Sequence, residues 1–309
     1  MKSLIRLMVV FGVFVALVAC SNGNNSEESK GETVVIEHEL GETEVQVKPE
    51  KIVVFDFGTL DTLDKLGIEV TAVPQGNIPS YLDKYESDDY ENVGSLKEPD
   101  FEKIAQIDPD LIIISGRQSE MYDELQELGD TIYLGIDTNR YMDSFKENLG
   151  VIGEIFEKES EIKDELADIE QTIEQVQTKA EEAAEEALII LANDDKISAY
   201  GPKSRFGIIH DVFGIPAIDE NIEVSTHGMN ISFEHVEKED PDILYVVDRS
   251  AAIGEESSAK QIVENKLTER TKAYQNNRIY YLNPDYWYLS GGGLISVSEM
   301  AKEIEESLN

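Results

Sequence analysis

Residues 101–117 read FEKIAQIDPDLIIISGR, and residues 233–249 read FEHVEKEDPDILYVVDR. The second stretch starts and ends 132 positions after the first, so Phe, Glu, Asp-Pro-Asp and Arg recur in the same order and spacing. Each stretch predicts a short helix, a turn where proline stops that helix, and a buried strand typical of parallel sheets. The chain therefore contains two copies of one α/β unit.

Arginine residues follow the predicted strands of both copies, at Arg117 and Arg249. Open α/β sheets bind ligands at the carboxyl ends of their strands, so we expect both residues to face one cleft between two lobes. Arg205, in the loop GPKSRFG at 201–207, is expected to reach the same rim. Three guanidinium groups suit a compact anion with hard oxygens. The alternative is that the Asp-Pro-Asp turns only end helices and the arginines form surface ion pairs.

The first twenty residues have the pattern of an export signal. Lys2 and Arg6 precede an apolar run at 7–19, which is shorter than a typical membrane-spanning helix. Cys20 is the only cysteine, so an internal disulfide is excluded. The sequence LVAC at 17–20 resembles a bacterial lipobox, which implies cleavage before Cys20 and lipid attachment to its thiol. The alternative is a free cysteine at the end of an ordinary signal peptide.

The composition is strongly acidic. The chain has 64 Asp and Glu against 26 Lys and Arg, with a formal net charge of −38. Such a surface repels nucleic acid and anionic lipid, so neither is expected as a partner beyond a lipid anchor. A small anionic ligand must therefore be attracted locally, against the field of the whole protein.

The rest of the chain divides by composition and periodicity. The segment 21–32 has no apolar residue and predicts a flexible tether. From 144 to 187 proline is absent and apolar residues recur every three or four positions, which predicts long helices that join the lobes or, alternatively, a coiled-coil surface. We expect an α/β protein with two Rossmann-like lobes, a ligand cleft between them and a bridging long α-helix. The expected boundaries are signal peptide 1–19, lipidated Cys20 and tether 20–32, first lobe 33–140, helical linker 141–186 and second lobe 187–309.

Further candidate ligand-binding residues stand in predicted loops. His227 and Tyr288 are flanked by glycine-containing segments of the second lobe, and an imidazole and a phenolate can bind ferric iron. Single His and Tyr residues are more often structural than ligating, so both roles stay open at this point. Lys84 is the only basic residue in the tyrosine-containing segment 74–90, and Trp287 adjoins Tyr288. We include both as ligand-binding candidates.

Enzyme signatures are missing from the sequence. The sequence has no serine nucleophile elbow, no phosphate-binding glycine loop with lysine, no cysteine cluster and no His-x-x-x-His pair. We therefore predict that the chain is not an enzyme.

Several separated motifs together resemble one family. They are the lipobox, VVFDFGTLDTLDKLG at 53–67, the stretch at 93–120 that includes the first repeat copy, GPKSRFGIIHDVFG at 201–214, STHGMN at 225–230 and WYLSGGG at 287–293. The chain is similar, over nearly its whole mature length, to the siderophore-binding lipoproteins of bacterial ABC iron importers. Within this helical-backbone class of solute-binding proteins it looks like the group that takes up ferric catecholates and petrobactin.

The resemblance implies roles for the residues of the cleft. The family's basic triad, which receives the anionic ferric complex, falls on Arg117, Arg205 and Arg249. In relatives that bind tetradentate catecholates, a His and a Tyr fill the two vacant iron positions, and these motifs fall on His227 and Tyr288. A hexadentate chelator would leave no vacancy, and the two side chains would then only line the pocket.

The resemblance also implies partners and a location. Members of the family dock on their permease through one acidic residue per lobe, which falls on Glu102 and Glu234; the alternative is that both are ordinary surface glutamates. The implied protein is a monomer without a tightly bound cofactor, and its ligand is a Fe(III)-siderophore. The lipid anchor would hold it on the outer face of the cytoplasmic membrane, as in Gram-positive bacteria.

The function expected from the sequence is capture of an anionic ferric siderophore and delivery to an ABC permease. The alternatives are a binding protein for another metal chelate, such as haem or cobalamin, an exported siderophore-processing enzyme, and a surface adhesin that uses the helical linker.

Overall fold

The computed structural model describes residues 31–225, 227–256 and 259–309. The predicted signal peptide, Cys20 and nearly all of the predicted tether lie outside these residues. Residues Glu32–Asn309 form one structural unit. Within the described part of the chain, no helix is both long enough and apolar enough to cross a membrane.

The described residues form twelve strands and eleven α-helices. The strands are β1 (Thr33–His38), β2 (Gly41–Gln46), β3 (Ile52–Val54), β4 (Ala72–Val73), β5 (Glu91–Asn92), β6 (Leu111–Ile114), β7 (Thr131–Tyr133), β8 (Ala187–Asn193), β9 (Lys196–Tyr200), β10 (Met229–Ile231), β11 (Ile243–Asp248) and β12 (Ile279–Leu282). The helices are α1 (Phe57–Lys65), α2 (Phe101–Ile107), α3 (Tyr122–Gln126), α4 (Tyr141–Phe156), α5 (Glu159–Ala183), α6 (Ile208–Asp211), α7 (Phe233–Glu239), α8 (Arg249–Ala252), α9 (Ala259–Val263), α10 (Lys272–Gln275) and α11 (Leu294–Ser307).

Two five-stranded sheets form the centres of two lobes. Their strand orders are β5-β4-β3-β6-β7 and β10-β9-β8-β11-β12, so the sheets correspond strand by strand. All pairs of the first sheet are parallel. In the second sheet β9 runs antiparallel to β8 and β10, because the chain reverses directly after β8 at Asp194 and Asp195. The prediction of two α/β lobes is confirmed, and β9 departs from the parallel arrangement.

The two copies of the repeated sequence have the same local structure. Helices α2 and α7 have seven residues each, and both end at an Asp in the left-handed region, Asp108 with φ 54° and Asp240 with φ 49°. A proline follows each of these residues and prevents the helix from continuing. The strands that come next, β6 and β11, hold the same place in the two sheets. The duplication read from the sequence is therefore a duplication of structure.

Helices between the two sheets join the lobes. The sequence predicted long helices between 144 and 187, and in the structure α4 ends at Phe156 while α5 begins at Glu159. Helix α5 has 25 residues, which corresponds to a length of about 37 Å. Its apolar stripe, including Ile169, Ile173 and Val176, is buried, and the helix packs against α4 and α11. One continuous apolar cluster includes these helices and inward-facing residues of both sheets.

The start of α11 is capped by side chains of α1. Asp61 is fully buried and accepts hydrogen bonds from the backbone N–H groups of Ile295 and Ser296, at 3.1 and 2.9 Å. The hydroxyl of Thr62 accepts from the N–H of Leu294 at 3.1 Å. These bonds satisfy amide groups that a helix start cannot bond internally. They connect α11, the last helix, which follows the second sheet in the chain, to α1 of the first lobe.

Candidate functional site

A cleft of about 730 Å³ is lined by residues of both lobes. From the first lobe it receives residues that directly follow β3, β6 and β7, and from the second lobe residues of the loop at 203–205 and of the turn Asp285–Leu289. A smaller pocket of about 210 Å³ adjoins it, since Arg205 and Tyr288 line both. The cleft therefore opens at the carboxyl edges of the sheets. It lies at the point in each sheet where the order of the strands along the chain changes direction, as expected for open α/β sheets.

Arg117 projects from a turn that is held by the residue after it. Gln118 is fully buried, and its side chain bonds the carbonyl of Leu96 and the N–H of Ser115. This fixes the backbone at the end of β6, so the half-buried Arg117 enters the cleft from the first lobe. Burial, together with the nearby positive charge of Arg205, lowers the pKa of Arg117 from its usual value.

Arg205 belongs to a tightly folded loop of the second lobe. The hydroxyl of Ser204 donates to the carbonyl of Gly201, and Asp211 accepts from the N–H of Lys203 at 2.5 Å. A Cβ atom at Gly207 would lie 2.7 Å from the nitrogen of Lys203, so the loop closes only around a residue without a side chain. The loop thereby holds Arg205 at the boundary between the two pockets.

Arg249 is the first residue of the short helix α8, immediately after β11. The side chain of Asp248 caps this helix by accepting from the N–H of Ala251 at 3.1 Å. Arg249 lines the smaller pocket and donates from Nη1 to the side-chain oxygen of Asn193, at the end of β8, at 2.9 Å. Arg117 and Arg249 thus occupy equivalent places after the equivalent strands β6 and β11.

Tyr288 is the residue on which the arginines converge. It lies in a π-helical turn, and its backbone carbonyl accepts from Nη2 of Arg117 at 3.0 Å and from Nη2 of Arg205 at 2.6 Å. The guanidinium carbon of Arg205 lies 4.1 Å from the centre of the Tyr288 ring. Burial raises the pKa of the Tyr288 phenol, but the charges of Arg205 and Arg249 act in the opposite direction and bring it below its usual value. The phenolate, which is the form that binds a hard cation, is therefore stabilised here.

The six described arginines fall into two groups. Arg140, Arg270 and Arg278 each form an ion pair with a glutamate. None of the ion pairs among the described residues includes Arg117, Arg205 or Arg249, although the chain has 64 acidic side chains. The surface ion pairs that the sequence left open for these three residues are therefore not formed.

The other predicted residues of the second lobe lie at or beside the cleft. Trp287 lines the larger pocket, is 3% exposed and donates from its indole N–H to Glu303 at 2.6 Å. His227 is exposed and lines the smaller pocket together with Tyr288 and Arg249. His227 and Tyr288 are thus the candidate iron ligands that share one pocket.

Lys84 is not brought to the cleft. It lies in the 3₁₀-helical segment Ser80–Glu86, forms an ion pair with Asp64 and stands 4.8 Å from the centre of the Tyr85 ring. It is among the lining residues of neither pocket. Lys84 instead pairs with Asp64 of α1, a residue that lies twenty positions earlier in the sequence.

Glu102 and Glu234 are both exposed and lie in the first turns of α2 and α7. A helix that joins two parallel strands runs back against them, so its first turn lies at the edge where the strands end. Both glutamates therefore lie on the side of the lobes at which the cleft opens.

Most residues that line the larger cleft were not predicted as binding candidates from the sequence. Asp56, Tyr133 and Tyr141 are among them. Asp56 lies between β3 and α1 and caps α1 by accepting a hydrogen bond from the N–H of Thr59. Its position directly after a predicted strand could have marked it as a binding candidate. Tyr133 and Tyr141 carried no signal, because tyrosines are common at ordinary surface and core positions.

A group of possible metal ligands occurs away from the cleft. Ligand atoms of Asp219, His235 and Glu239 lie within 4.8 Å of one another, and all three residues are half-buried. Glu239 already pairs with Lys238 at 2.6 Å, and His235 stands 3.9 Å from Asp219. His235 and Glu239 lie on α7 and Asp219 precedes it, and one of the two carboxylates already has a lysine partner.

Comparison with known proteins places the chain among binding proteins. The model of a family described as periplasmic binding protein matches residues 52–286. The chain is 50% identical to the petrobactin-binding protein YclQ of Bacillus subtilis, over 100% of this chain and 99% of that protein. The crystal structure of YclQ matches with a TM-score of 0.88 and 52% identity, over 90% of this chain and 99% of that one.

A second solved structure is also similar. The periplasmic catecholate-siderophore binding protein VctP of Vibrio cholerae matches with a TM-score of 0.85 and 33% identity, over 89% of this chain and 100% of that one. The family and these relatives bind solutes, which confirms the prediction that the chain is not an enzyme.

Proposed function

We propose, since this chain belongs to the periplasmic binding protein family, that it captures an anionic ferric siderophore outside the cytoplasm and delivers it to an ABC permease. The ligand class that we propose is the catecholate or petrobactin type. The names of YclQ and VctP, which bind petrobactin and a catecholate siderophore, support this choice of ligand.

The observation that carries the proposal is the group of three arginines that form no ion pair with any residue that the structure describes. Arg117 and Arg205 come from different lobes and donate to the same carbonyl oxygen, and Arg249 acts on the phenol of the same residue, Tyr288. Like charges held together in a partly buried cleft cost free energy, which an anionic ligand would recover. In a protein with a net charge of −38, this cluster gives a small anion a local site of attraction.

Iron ligation by the protein is a second part of the proposal. Tyr288 has a pKa below that of an ordinary tyrosine, and His227 lines the same small pocket. A phenolate and an imidazole would complete a six-coordinate ferric ion whose other four donors come from a tetradentate chelator. With a hexadentate chelator the two side chains would only contact the ligand.

Delivery requires a docking surface and a membrane anchor. We assign docking to Glu102 and Glu234, because both are exposed and flank the opening of the cleft from different lobes. We assign the anchor to lipid on Cys20, from the sequence pattern of residues 1–20. The protein would then act as a monomer on the outer face of the cytoplasmic membrane of the Gram-positive type.

Ligand selectivity tests the proposal. Quenching of Trp287 and tyrosine fluorescence would be titrated with an anionic ferric bis-catecholate and, separately, with a neutral ferric hydroxamate complex. Tighter binding of the anionic complex is expected, because only it neutralises the arginines. Equal or tighter binding of the neutral complex would contradict the proposed function.

Visible absorption tests direct ligation separately. The charge-transfer band of ferric bis-catecholate bound to the wild type would be compared with that of the His227→Ala and Tyr288→Phe variants. We expect the band to shift in both variants, because each loses one iron donor. A band that is unchanged in both would restrict these residues to lining the pocket.

A further inference from the structure

The hydroxyl of Tyr141 is a buried polar group that has no hydrogen-bond partner in the described part of the chain. Tyr141 is the first residue of α4, is 6% exposed and lines the larger cleft. Five buried side-chain polar atoms among the described residues lack a partner, and the other four belong to residues that line neither pocket. Of these five residues, Tyr141 is therefore the one that lines the candidate binding site.

An unpartnered buried hydroxyl destabilises a folded protein, because it loses its hydrogen bonds to water and gains none. A site that binds an oxygen-rich ligand offers a physical reason to keep such a group. Position 291, next to this hydroxyl, is a glycine, so no side chain from that position covers it. Gly291 lines the same cleft, and even a Cβ atom there would stand 3.7 Å from the hydroxyl oxygen.

Tyr141 and Tyr288, two of the tyrosines that line the cleft, differ in how their surroundings shift the pKa of the phenol. The pKa of Tyr288 is lowered by Arg205 and Arg249 against the effect of burial, so its phenolate forms more readily than that of an ordinary tyrosine. Burial raises the pKa of Tyr141, and the negative charges of Asp61 and Asp56 raise it further, so its phenol stays protonated. Tyr288 is suited to accept a hydrogen bond or to bind a cation, and Tyr141 is suited to donate a hydrogen bond.

We propose that the Tyr141 hydroxyl donates a hydrogen bond to an oxygen of the bound anionic chelate and is therefore a ligand-binding residue at the start of α4. This inference rests on the proposed function, because it assumes that the cleft holds an anionic ligand. It adds a neutral donor, supplied by the helices that join the lobes, to the three charged donors of the arginines.

The Tyr141→Phe variant tests the inference, because it removes only the hydroxyl. In the absence of ligand we expect its melting temperature to be equal to that of the wild type or higher, since no hydrogen bond is lost. Its Kd for ferric bis-catecholate, measured by fluorescence quenching, should rise about tenfold, as for loss of one hydrogen bond to a charged group.

Tyr245→Phe is the matched control. Tyr245 is also buried and lies in β11, but its hydroxyl shares a hydrogen bond of 2.7 Å with the hydroxyl of Ser307 and lines neither pocket. Its removal should lower the melting temperature and leave the Kd unchanged. The two variants are thus expected to give opposite patterns.

The result that overturns the inference is an unchanged Kd in Tyr141→Phe while Arg249→Ala weakens binding; the proposed function would then stand without this contact. A lowered melting temperature with an unchanged Kd, as in Tyr245→Phe, would likewise make the hydroxyl structural. If neither Tyr141→Phe nor Arg249→Ala changes the Kd, the proposed function fails as well.

Discussion

At the scale of single residues, the partners of the arginines separate surface side chains from cleft side chains. Arg270 is exposed and pairs with Glu237 at 2.7 Å. Most of the described Lys and Arg side chains of this acidic protein likewise pair with a carboxylate. Arg249 instead bonds the neutral side chain of Asn193 and faces a pocket. Sequence alone located Arg249 after a strand but could not tell whether a glutamate would pair with it, because that depends on side chains from distant parts of the chain.

Replacing Arg249 by Ala should weaken binding of ferric bis-catecholate by about 1.5–3 kcal/mol, the usual effect of losing a hydrogen bond to a charged group. Affinity would be measured by fluorescence quenching. Arg270→Ala is the matched control and should bind like the wild type. An Arg249→Ala variant with wild-type affinity would remove this residue from the site.

The ionisation of Tyr288 gives a pH-dependent prediction. Its pKa is lowered, so its phenolate should form at lower pH than that of an ordinary tyrosine. Ultraviolet absorbance titrations of the wild type and Tyr288→Phe would be subtracted to isolate this residue. In an Arg205→Gln background the same difference should move to higher pH, since a positive charge is lost. A Tyr288 signal at or above the ordinary pKa in the wild type would contradict this.

At the scale of elements, the sequence predicted the helices and strands better than the contacts between them. The repeat and the apolar spacing predicted α2, α7, β6, β11 and α5, because these features depend on local periodicity. The segment 74–90 was placed among the predicted loops, yet its 3₁₀-helical part Ser80–Glu86 buries Leu82 and Tyr85 and brings the hydroxyl of Tyr81 to Asp61. The close contact between α1 and α11 at Gly293 was not predicted from the sequence, because it depends on residues that are far apart in the chain.

The contact between α1 and α11 predicts how the ionisation of Asp61 changes the stability of the protein with pH. Burial raises the pKa of Asp61 from 3.8 to about 7, although hydrogen bonds from Ser296 and Ile295 act to lower it. The folded protein thus holds this proton more tightly than the unfolded chain, so the resulting stabilisation is present below about pH 4 and is lost as pH rises through about 7.

Urea unfolding of the wild type and Asp61→Asn would test this titration. The free energy of unfolding of the wild type, relative to that of the variant, should fall between about pH 5 and about pH 8. A difference that is constant over this range, or that rises with pH, would contradict a raised pKa at Asp61.

The glycine before α11 gives a steric prediction. A Cβ atom at Gly293 would lie 1.9 Å from a carboxylate oxygen of Asp61 and 2.2 Å from the carbonyl oxygen of Gly58. Gly293→Ala should therefore lower the free energy of unfolding by about 1–3 kcal/mol. Gly150→Ala in α4, where a Cβ meets nothing within 4 Å, is the control and should be neutral or stabilising. Equal stability of the two variants would contradict a tight α1–α11 contact.

At the scale of the whole molecule, the lobes share an apolar core through α4, α5 and α11. The hydrogen bonds from α11 to Asp61 and Thr62 join the end of the chain to its first lobe. Large closure would have to break this packing, so we expect limited hinge motion on binding. The sequence predicted the two lobes and the bridging helices, but the shared core could not be predicted, because it depends on which helix faces meet.

Small-angle X-ray scattering would measure that motion. Addition of ferric bis-catecholate should change the radius of gyration by less than about 1 Å, as in binding by preorganised partners. A decrease of several ångströms would show a hinge closure that the shared core does not allow.

The most direct test of the central claim is the position of iron in crystals grown with ferric bis-catecholate, located by anomalous diffraction. We predict one iron peak between the lobes, next to the Tyr288 phenol, with Arg117, Arg205 and Arg249 around the chelate. Iron found outside this cleft, for example at Asp219, His235 and Glu239, would contradict the proposed binding site.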